Sequence, residues 1–274
     1  MIQQWILENP NLFRVLAFLS LLGLLALSEI LSPRRKSYGY KGRRWFANLA
    51  ILVVSILLLK LVFPLLAVEV SFLSTEQQWG MFHYYQYPYW LNIALGLLIL
   101  DLSIYLQHVM FHAVPGFWRF HKMHHADLDF DVSTGLRFHP VEMILSMGIK
   151  IMIVAAFGIV PLGVLLFEVF LNAGSMFTHT NIVIPSRLEW FVRWLVVTPE
   201  MHRVHHSVIK SETNSNFGFN LSLWDRLFGT YKQDPKEGYL GMTIGIPEFR
   251  EPKYLRFRWL LSIPFLRQSF YRKK

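Results

Sequence analysis

Four long apolar runs decide what this chain can fold into. Residues 12–31, 45–68 and 90–111 each supply the stretch of about twenty apolar residues that an α-helix needs to cross a bilayer, and a fourth run covers residues 141–177. The fourth is interrupted between Gly158 and Gly163, a break that includes Pro161. It therefore reads as two helices folded back on each other, a hairpin that enters the membrane and returns. A chain that is 53% hydrophobic and only 16% charged fits a water-soluble domain poorly. The expected fold is all-α: an integral membrane protein with about three spans, a re-entrant or two-helix hairpin, and a cytosolic histidine-rich helical cap. The first run is expected to stay as a span. Residues 1–10 hold an acid and no Lys or Arg, and Ser32-Pro33-Arg34-Arg35-Lys36 has the character of a stop-transfer flank.

Charge orients this scaffold. Arg34, Arg35, Lys36, Lys41, Arg43 and Arg44 crowd the first inter-span loop, while residues 70–89 carry no Lys or Arg. That asymmetry predicts a cytoplasmic first loop, an outer N-terminus, and a third span whose end returns to the cytoplasm. The formal net charge of +9 is thus expected to serve the membrane, with the basic residues Arg256, Arg258, Arg267, Arg272, Lys273 and Lys274 beside anionic headgroups. No basic-aromatic module accompanies it, so nucleic acid is not an expected partner. Three regions follow: residues 1–100 as a membrane anchor, 101–235 as a histidine-rich catalytic region, and 236–274 as a basic peripheral tail.

The chain has no cysteine, which excludes disulfides, thiolate-bound zinc and iron–sulfur clusters within it. Any metal must be held by His, Asp or Glu. Ten of the eleven histidines fall between His108 and His206, and eight form three groups: His108 and His112; His121, His124 and His125; His202, His205 and His206. On a helix, positions three and four apart share a face, so each group presents two or three imidazoles to one point or to two neighbouring points. Eight such ligands, with His179 as a ninth, exceed the capacity of one ion and imply two. Neutral imidazole suits iron, zinc, copper and nickel alike. Iron is favoured for its oxygen chemistry, with zinc left open by ligand type. Asp101, Tyr105, His108 and His112 form a polar stripe along an apolar helix. Asp101 would either orient a ligand histidine from behind or be a carboxylate paired for packing.

The motifs HVMFH at 108–112, HKMHH at 121–125 and HRVHH at 202–206 resemble the pattern of the fatty acid hydroxylase and sterol desaturase superfamily. So do Arg137-Phe138-His139-Pro140 with Glu142, the segment from Phe177 to Asn181, and the segment from Leu221 to Tyr231. The resemblance covers about half the chain. It implies a helical membrane protein with a cytosol-facing non-haem di-metal centre that consumes oxygen and two electrons. His108, His112, His121, His124, His125, His202, His205 and His206 are then implied ligands, with His179 the ninth. Some members carry another histidine four residues from that one, where this chain has Ser175 and Val183. His139 either fills that position or belongs to a structural bend beside Pro140. His83 falls on the opposite side of the membrane and is not an expected ligand. Arg137 and Glu142 are expected as an ion pair, and Asn214, Asn216, Trp224 and Asp225 as a bend over the site, with Asp225 behind the ligands.

The activity that this resemblance implies is hydroxylation of a lipid C–H bond, fatty acyl or sterol-like, with desaturation or oxidation of a sterol or carotenoid as the alternative. A groove between the third span and the hairpin, lined by Phe111, Phe117 and Phe177, is the expected lipid entrance. No haem, flavin or dinucleotide module is recognisable, so electrons are expected from a separate protein. A zinc-dependent hydrolase or a metal transporter is the reading from a different class. Both fit less well: the histidines cluster at one face, and no His-Glu-x-x-His arrangement exists.

Overall fold

The computed structural model describes residues 1–266, so Arg267, Arg272, Lys273 and Lys274 of the basic tail lie outside the described residues. Among the described residues no β-strand forms, only three isolated bridges such as Pro33 with Ile182. The elements that matter for the site are α1 (Pro10–Leu31), α2 (Lys41–Val62), α3 (Ala67–Glu76), α4 (Tyr89–Ala113), α5 (Pro115–His125), α6 (Pro140–Phe157), α7 (Pro161–Thr178), α8 (Ser186–Leu195), α9 (Pro199–His205) and α10 (Leu223–Leu227).

Five helical segments among the described residues are long and apolar enough to cross a membrane: α1, Lys41–Tyr84 (which begins with α2 and contains α3), α4, α6 and α7. In hydrocarbon every peptide group must be bonded within its own segment, which is why these runs are helical. Leu16, Leu19 and Leu27 on α1 and Val53, Leu57 and Leu61 on α2 point outward and exposed, as a lipid-facing surface requires. The chain is a multi-pass membrane protein, and its regular elements among the described residues are all helical.

Proline places the breaks between helices. Val114, His139, Val160 and Thr198 each precede a proline at the first position of a helix, and each is extended. The proline ring disfavours helical geometry in the residue before it, yet suits the first helical turn. The break at Val114 lets α5 fold against α4, so that the histidines of two successive helices meet. Gly158 takes φ +68° at the end of α6, and α7 starts three residues later. The apolar interior lies where α4, α6 and α7 pack together around Leu100, Ile104, Met147, Val154, Val164 and Phe167, with α1 against α7 and α2 against α6.

Two buried polar contacts lock the membrane helices to the segment 126–139 that follows α5. Arg44, which the sequence places in the basic loop, instead lies in the first turn of α2 with its side chain fully buried. Its Nε donates to Asp127 Oδ1 at 2.6 Å, Nη1 to Asp131 Oδ2 at 2.6 Å, and Nη2 to Asp127 Oδ2 at 2.9 Å. The two-pronged geometry is the strong form of this contact. Burial pushes the Asp127 carboxyl up, but Arg44 and Arg137 outweigh that and hold it below the usual carboxylate range. From α1, Glu29 accepts from the backbone N–H groups of Val132 and Asn181 at 2.7 and 2.9 Å.

The C-terminal region differs from expectation. Residues 236 onward were expected to be peripheral, but Ile246, Phe249, Leu260 and Ile263 are buried against Ala47, Trp118 and Met123. Aromatic and aliphatic side chains at a spacing too irregular to read as a core element account for the difference.

Removing one partner of a buried ion pair strands the other charge, so Arg44→Ala is expected to destabilise the protein by about 3–5 kcal/mol. Thermal denaturation in detergent measures this as a large fall in Tm.

Candidate metal centre

The three histidine groups converge. His108 and His112 come from the last turns of α4, His121, His124 and His125 from α5, His179 from the end of α7, and His202, His205 and His206 from α9 and the residue after it. They sort into two sets. His108, His112, His121, His125 and His205 form one, and His124, His179, His202 and His206 the other; within each set the available nitrogens lie within 4.8 Å of one another. All nine are buried. The sets adjoin, with the rings of His125 and His206 stacked at a centroid distance of 4.4 Å. Helical spacing explains the sorting: His121 and His125, four apart, go to one set while His124 turns to the other.

Hydrogen bonds behind the rings define which nitrogen faces inward. Backbone carbonyls, which only accept, sit against Nδ1 of four of them: Phe217 O at 2.7 Å from His108, Arg137 O at 3.1 Å from His124, Ser175 O at 2.7 Å from His179 and Ser215 O at 2.8 Å from His205. Glu142 Oε1 accepts from His121 Nδ1 at 2.7 Å, and Asn214 Oδ1 lies 3.3 Å from His112 Nδ1. In the neutral form that binds metal an imidazole has one N–H, so a ring that donates through Nδ1 presents Nε2 as a bare lone pair.

Those lone pairs face each other. His108 Nε2 is 3.1 Å from His121 Nε2, and His124 Nε2 is 3.1 Å from His179 Nε2. Two acceptors at that distance repel unless a cation lies beside both. On an octahedral ion with nitrogens about 2.1 Å away, neighbouring ligands fall about 3.0 Å apart. Nε2 of His112 and His205 and both ring nitrogens of His125 are buried without partners, which a cation would also resolve. Burial, reinforced by neighbouring imidazoles, holds His124, His125, His202, His205 and His206 well below the ordinary histidine range. Burial likewise lowers His179 to about 4. These rings are neutral at physiological pH, the state in which imidazole binds metal. The donor sets therefore fit two metal ions, one that would be held by five nitrogens and one by four.

Other expected residues fall elsewhere. His139 is in neither set; its Nδ1 accepts from Val141 N at 3.2 Å and caps α6. His83 packs near Gly158, outside both sets. Asp101 bonds no histidine. It accepts from Asn220 Nδ2, Leu221 N and Trp224 Nε1. Asp225 accepts from the backbone N–H groups of Phe217 and Gly218 at 2.7 and 2.9 Å. Both acids thus shape the loop whose Phe217 carbonyl receives the His108 proton. Asn216, in the same loop at φ +51°, is bonded to Met201 O of α9 and to the backbone of Lys232. Tyr105 bonds Thr230 at 2.8 Å and does not reach the site. Arg137 and Glu142 do not pair, because the turn into α6 separates them: Arg137 donates to Met123 O and faces Asp127, while Glu142 serves His121. The Glu142 contact was not anticipated. Its one signal is an acid in the first turn of an apolar helix.

A cavity of about 530 Å³ adjoins the first set, and His108, His121, Phe111, Phe138 and Glu142 line it. Phe117 and Phe177 do not. Phe117 packs on the ring of Phe111, and the cavity walls include α1 and α2 as well as α4, α6 and α7.

Elemental analysis of purified, iron-supplied protein is expected to find two ions per chain. The double variants His121→Ala with His205→Ala, and His179→Ala with His206→Ala, should each retain one; His139→Ala should retain both.

The fatty acid hydroxylase family model matches residues 93–230, half of the chain. The chain is 28% identical over 233 residues to the ornithine lipid hydroxylase OlsE of Rhizobium tropici, covering 80% of this chain and 67% of that protein. It is 31% identical over 176 residues to the alkylglycerol monooxygenase of Homo sapiens, covering 64% and 37%. With the cholesterol 25-hydroxylase of Homo sapiens it shares 30% identity over 144 residues, covering 52% and 51%. It thus spans two thirds of the first relative's length and between about a third and a half of the other two. No solved structure matches it. The matched segment contains every histidine of both converging sets, and on that basis the chain belongs to the fatty acid hydroxylase family.

Proposed function

We propose that this chain is a membrane-bound non-haem di-iron oxygenase that hydroxylates a lipid C–H bond with O2 and electrons from a separate protein. The observation that carries this reading is the pair of 3.1 Å contacts between imidazole nitrogens that converge as metal ligands do, the His108–His121 contact at the wall of a lipid-sized cavity and the His124–His179 contact in the adjoining set. Zinc is redox-inert, whereas the relatives are named as hydroxylases or monooxygenases of an ornithine lipid, an alkylglycerol and cholesterol. Iron accounts for both the ligand type and that chemistry. When bound, the iron pair supplies the oxygen activation and electron transfer that no side chain here provides.

The chain's own residues bind, orient and exclude. His108 and His121 hold the first set at the cavity wall, so a substrate carbon in the cavity comes to rest beside it. Phe111, Phe138 and Phe219 line that end and keep water out. Glu142 Oε1 holds the Nδ1 proton of His121 and so directs its Nε2 inward. The second oxygen of Glu142 has no partner. It offers the substrate an acceptor.

Topology supports a cytoplasmic site. Arg34 and Arg35 lie at the histidine end of the bundle, bonded to Glu200, Asn181 and Met242, and basic residues mark the inner face. In this arrangement α1, α2 and α4 are the spans and α6 with α7 the hairpin. Helix α8 exposes Leu188, Trp190, Phe191, Trp194 and Leu195, the profile of a helix lying in the membrane interface. The basic inner face suits an acidic electron donor.

Iron-loaded protein supplied with a reductase system, membrane lipid and isotopically labelled O2 is expected to yield a lipid carrying one labelled oxygen atom. His124→Ala and His205→Ala should abolish the product. Glu142→Gln should lower the rate by about 10–100-fold, as loss of a carboxylate behind a ligand histidine does. Fully metallated protein that transfers no oxygen to lipid would overturn the assignment.

A further inference from the structure

The cavity has a second polar end that metal binding does not use. Arg14 on α1, Lys60 on α2, and Lys150 and Glu168 on α6 and α7 all line it. Glu168 joins two of the cations, accepting from Arg14 Nη1 at 2.6 Å and from Lys150 Nζ at 3.2 Å. The side chains of Glu168 and Lys150 are 7% and 9% exposed; Glu168 is the one charged residue of α7, and Lys150 shares α6 with Glu142 alone. Lys150 is eight residues beyond Glu142, about 12 Å of helical rise, and Glu168 is ten residues before Thr178, about 15 Å. One cavity therefore runs from the histidines at one end to these charges at the other.

Ionisable groups at such depth are costly, and those that occur face an interior or a cavity and mark pathways or ligands. A helix pin would need one cation against Glu168. Here two cations, Arg14 and Lys150, meet one acid, and the exposed Lys60 adds a further positive charge to the cavity wall, so positive charge is in surplus where the wall faces open space. Lys150 has three N–H donors and gives one to Glu168. The remainder suit an anionic oxygen. Between the two ends the lining is mainly apolar, with Leu59, Ile104, Met147 and Leu171, as an alkyl chain would require.

Resting on the oxygenase reading above, we propose that the Arg14, Lys60 and Lys150 end is a subsite for one anionic group, a carboxylate or a phosphate, at the end of a long alkyl chain. The chain extends from there to the histidine sets. Oxygen then enters remote from the anionic group, not beside it.

The test is competition for the cavity by purified, metal-loaded full chain in neutral detergent, with a fluorescent long-chain fatty acid as the probe. The competitors are a long-chain fatty acid, its methyl ester and the matching alkyl phosphate. The parent should prefer at least one anionic competitor over the ester by about tenfold or more, and whichever anion competes better identifies the group. Lys150→Met should erase that preference and Lys150→Arg should keep it, both with two ions still bound. Should Lys150→Met fail to fold, Lys150→Gln with Lys60→Gln reads the same ratio. Equal competition by acid, phosphate and ester in the parent, or an unchanged ratio in Lys150→Met, would reduce the cluster to a helix pin and overturn the proposal. Product fragmentation supplies a second readout: oxygen beside the anionic group also overturns it. Anion preference without any oxygen transfer would sink the oxygenase reading alone, whereas oxygen transfer without anion preference would sink the subsite alone.

Discussion

Nine imidazoles share one buried volume, and several are held by their outer nitrogens so that their inner nitrogens converge at 3.1 Å. Without cations this arrangement is repulsive, and much of the surrounding structure serves to impose it. Carbonyls of Phe217, Arg137, Ser175 and Ser215 take the outer protons, and Asp225 and Asp101 hold the loop that carries the first of them. Because the site is scarcely formed in an unfolded chain, metal affinity and folding free energy are linked here. The acids that flank the centre act through the peptide backbone more than through the rings. That makes the loop 214–231 as much a part of the centre as the histidine helices are.

The membrane helices α1 and α2, which carry no histidine of either set, are tied to the segments around the centre by buried polar contacts. Arg44 grips Asp127 and Asp131 from α2, and Glu29 takes two backbone N–H groups from α1. Both lie near the ends of their helices, where an ion pair in one case and hydrogen bonds to the backbone in the other take over from apolar packing. The same helices wall the cavity. A displacement of α1 or α2 would therefore alter the shape of the substrate space together with the anchoring of the segment that follows His125.

Several features are legible in the sequence. The apolar runs, the Gly158 to Pro161 reversal and the three histidine boxes depend on local periodicity, and helices in hydrocarbon have little freedom to depart from it. His139 shows where that legibility ends. Its type and neighbourhood match a ligand, yet the proline after it makes it an extended cap whose ring serves its own helix. Arg44 reads as one more basic loop residue until α2 carries it inward. Arg137 and Glu142 are close in sequence, but α6 begins between them and sends their side chains to different partners.

The sequence by itself determined that the chain is helical and membrane-bound, and that its histidines are numerous enough for two metals, because these follow from composition and from spacing along one helix. Only the tertiary structure decided how the nine divide five and four, that Glu142 stands behind His121, and that Arg14, Lys60, Lys150 and Glu168 share a cavity with the centre. These are relations between residues separated by as many as 154 positions, and no local period encodes which helix face meets which.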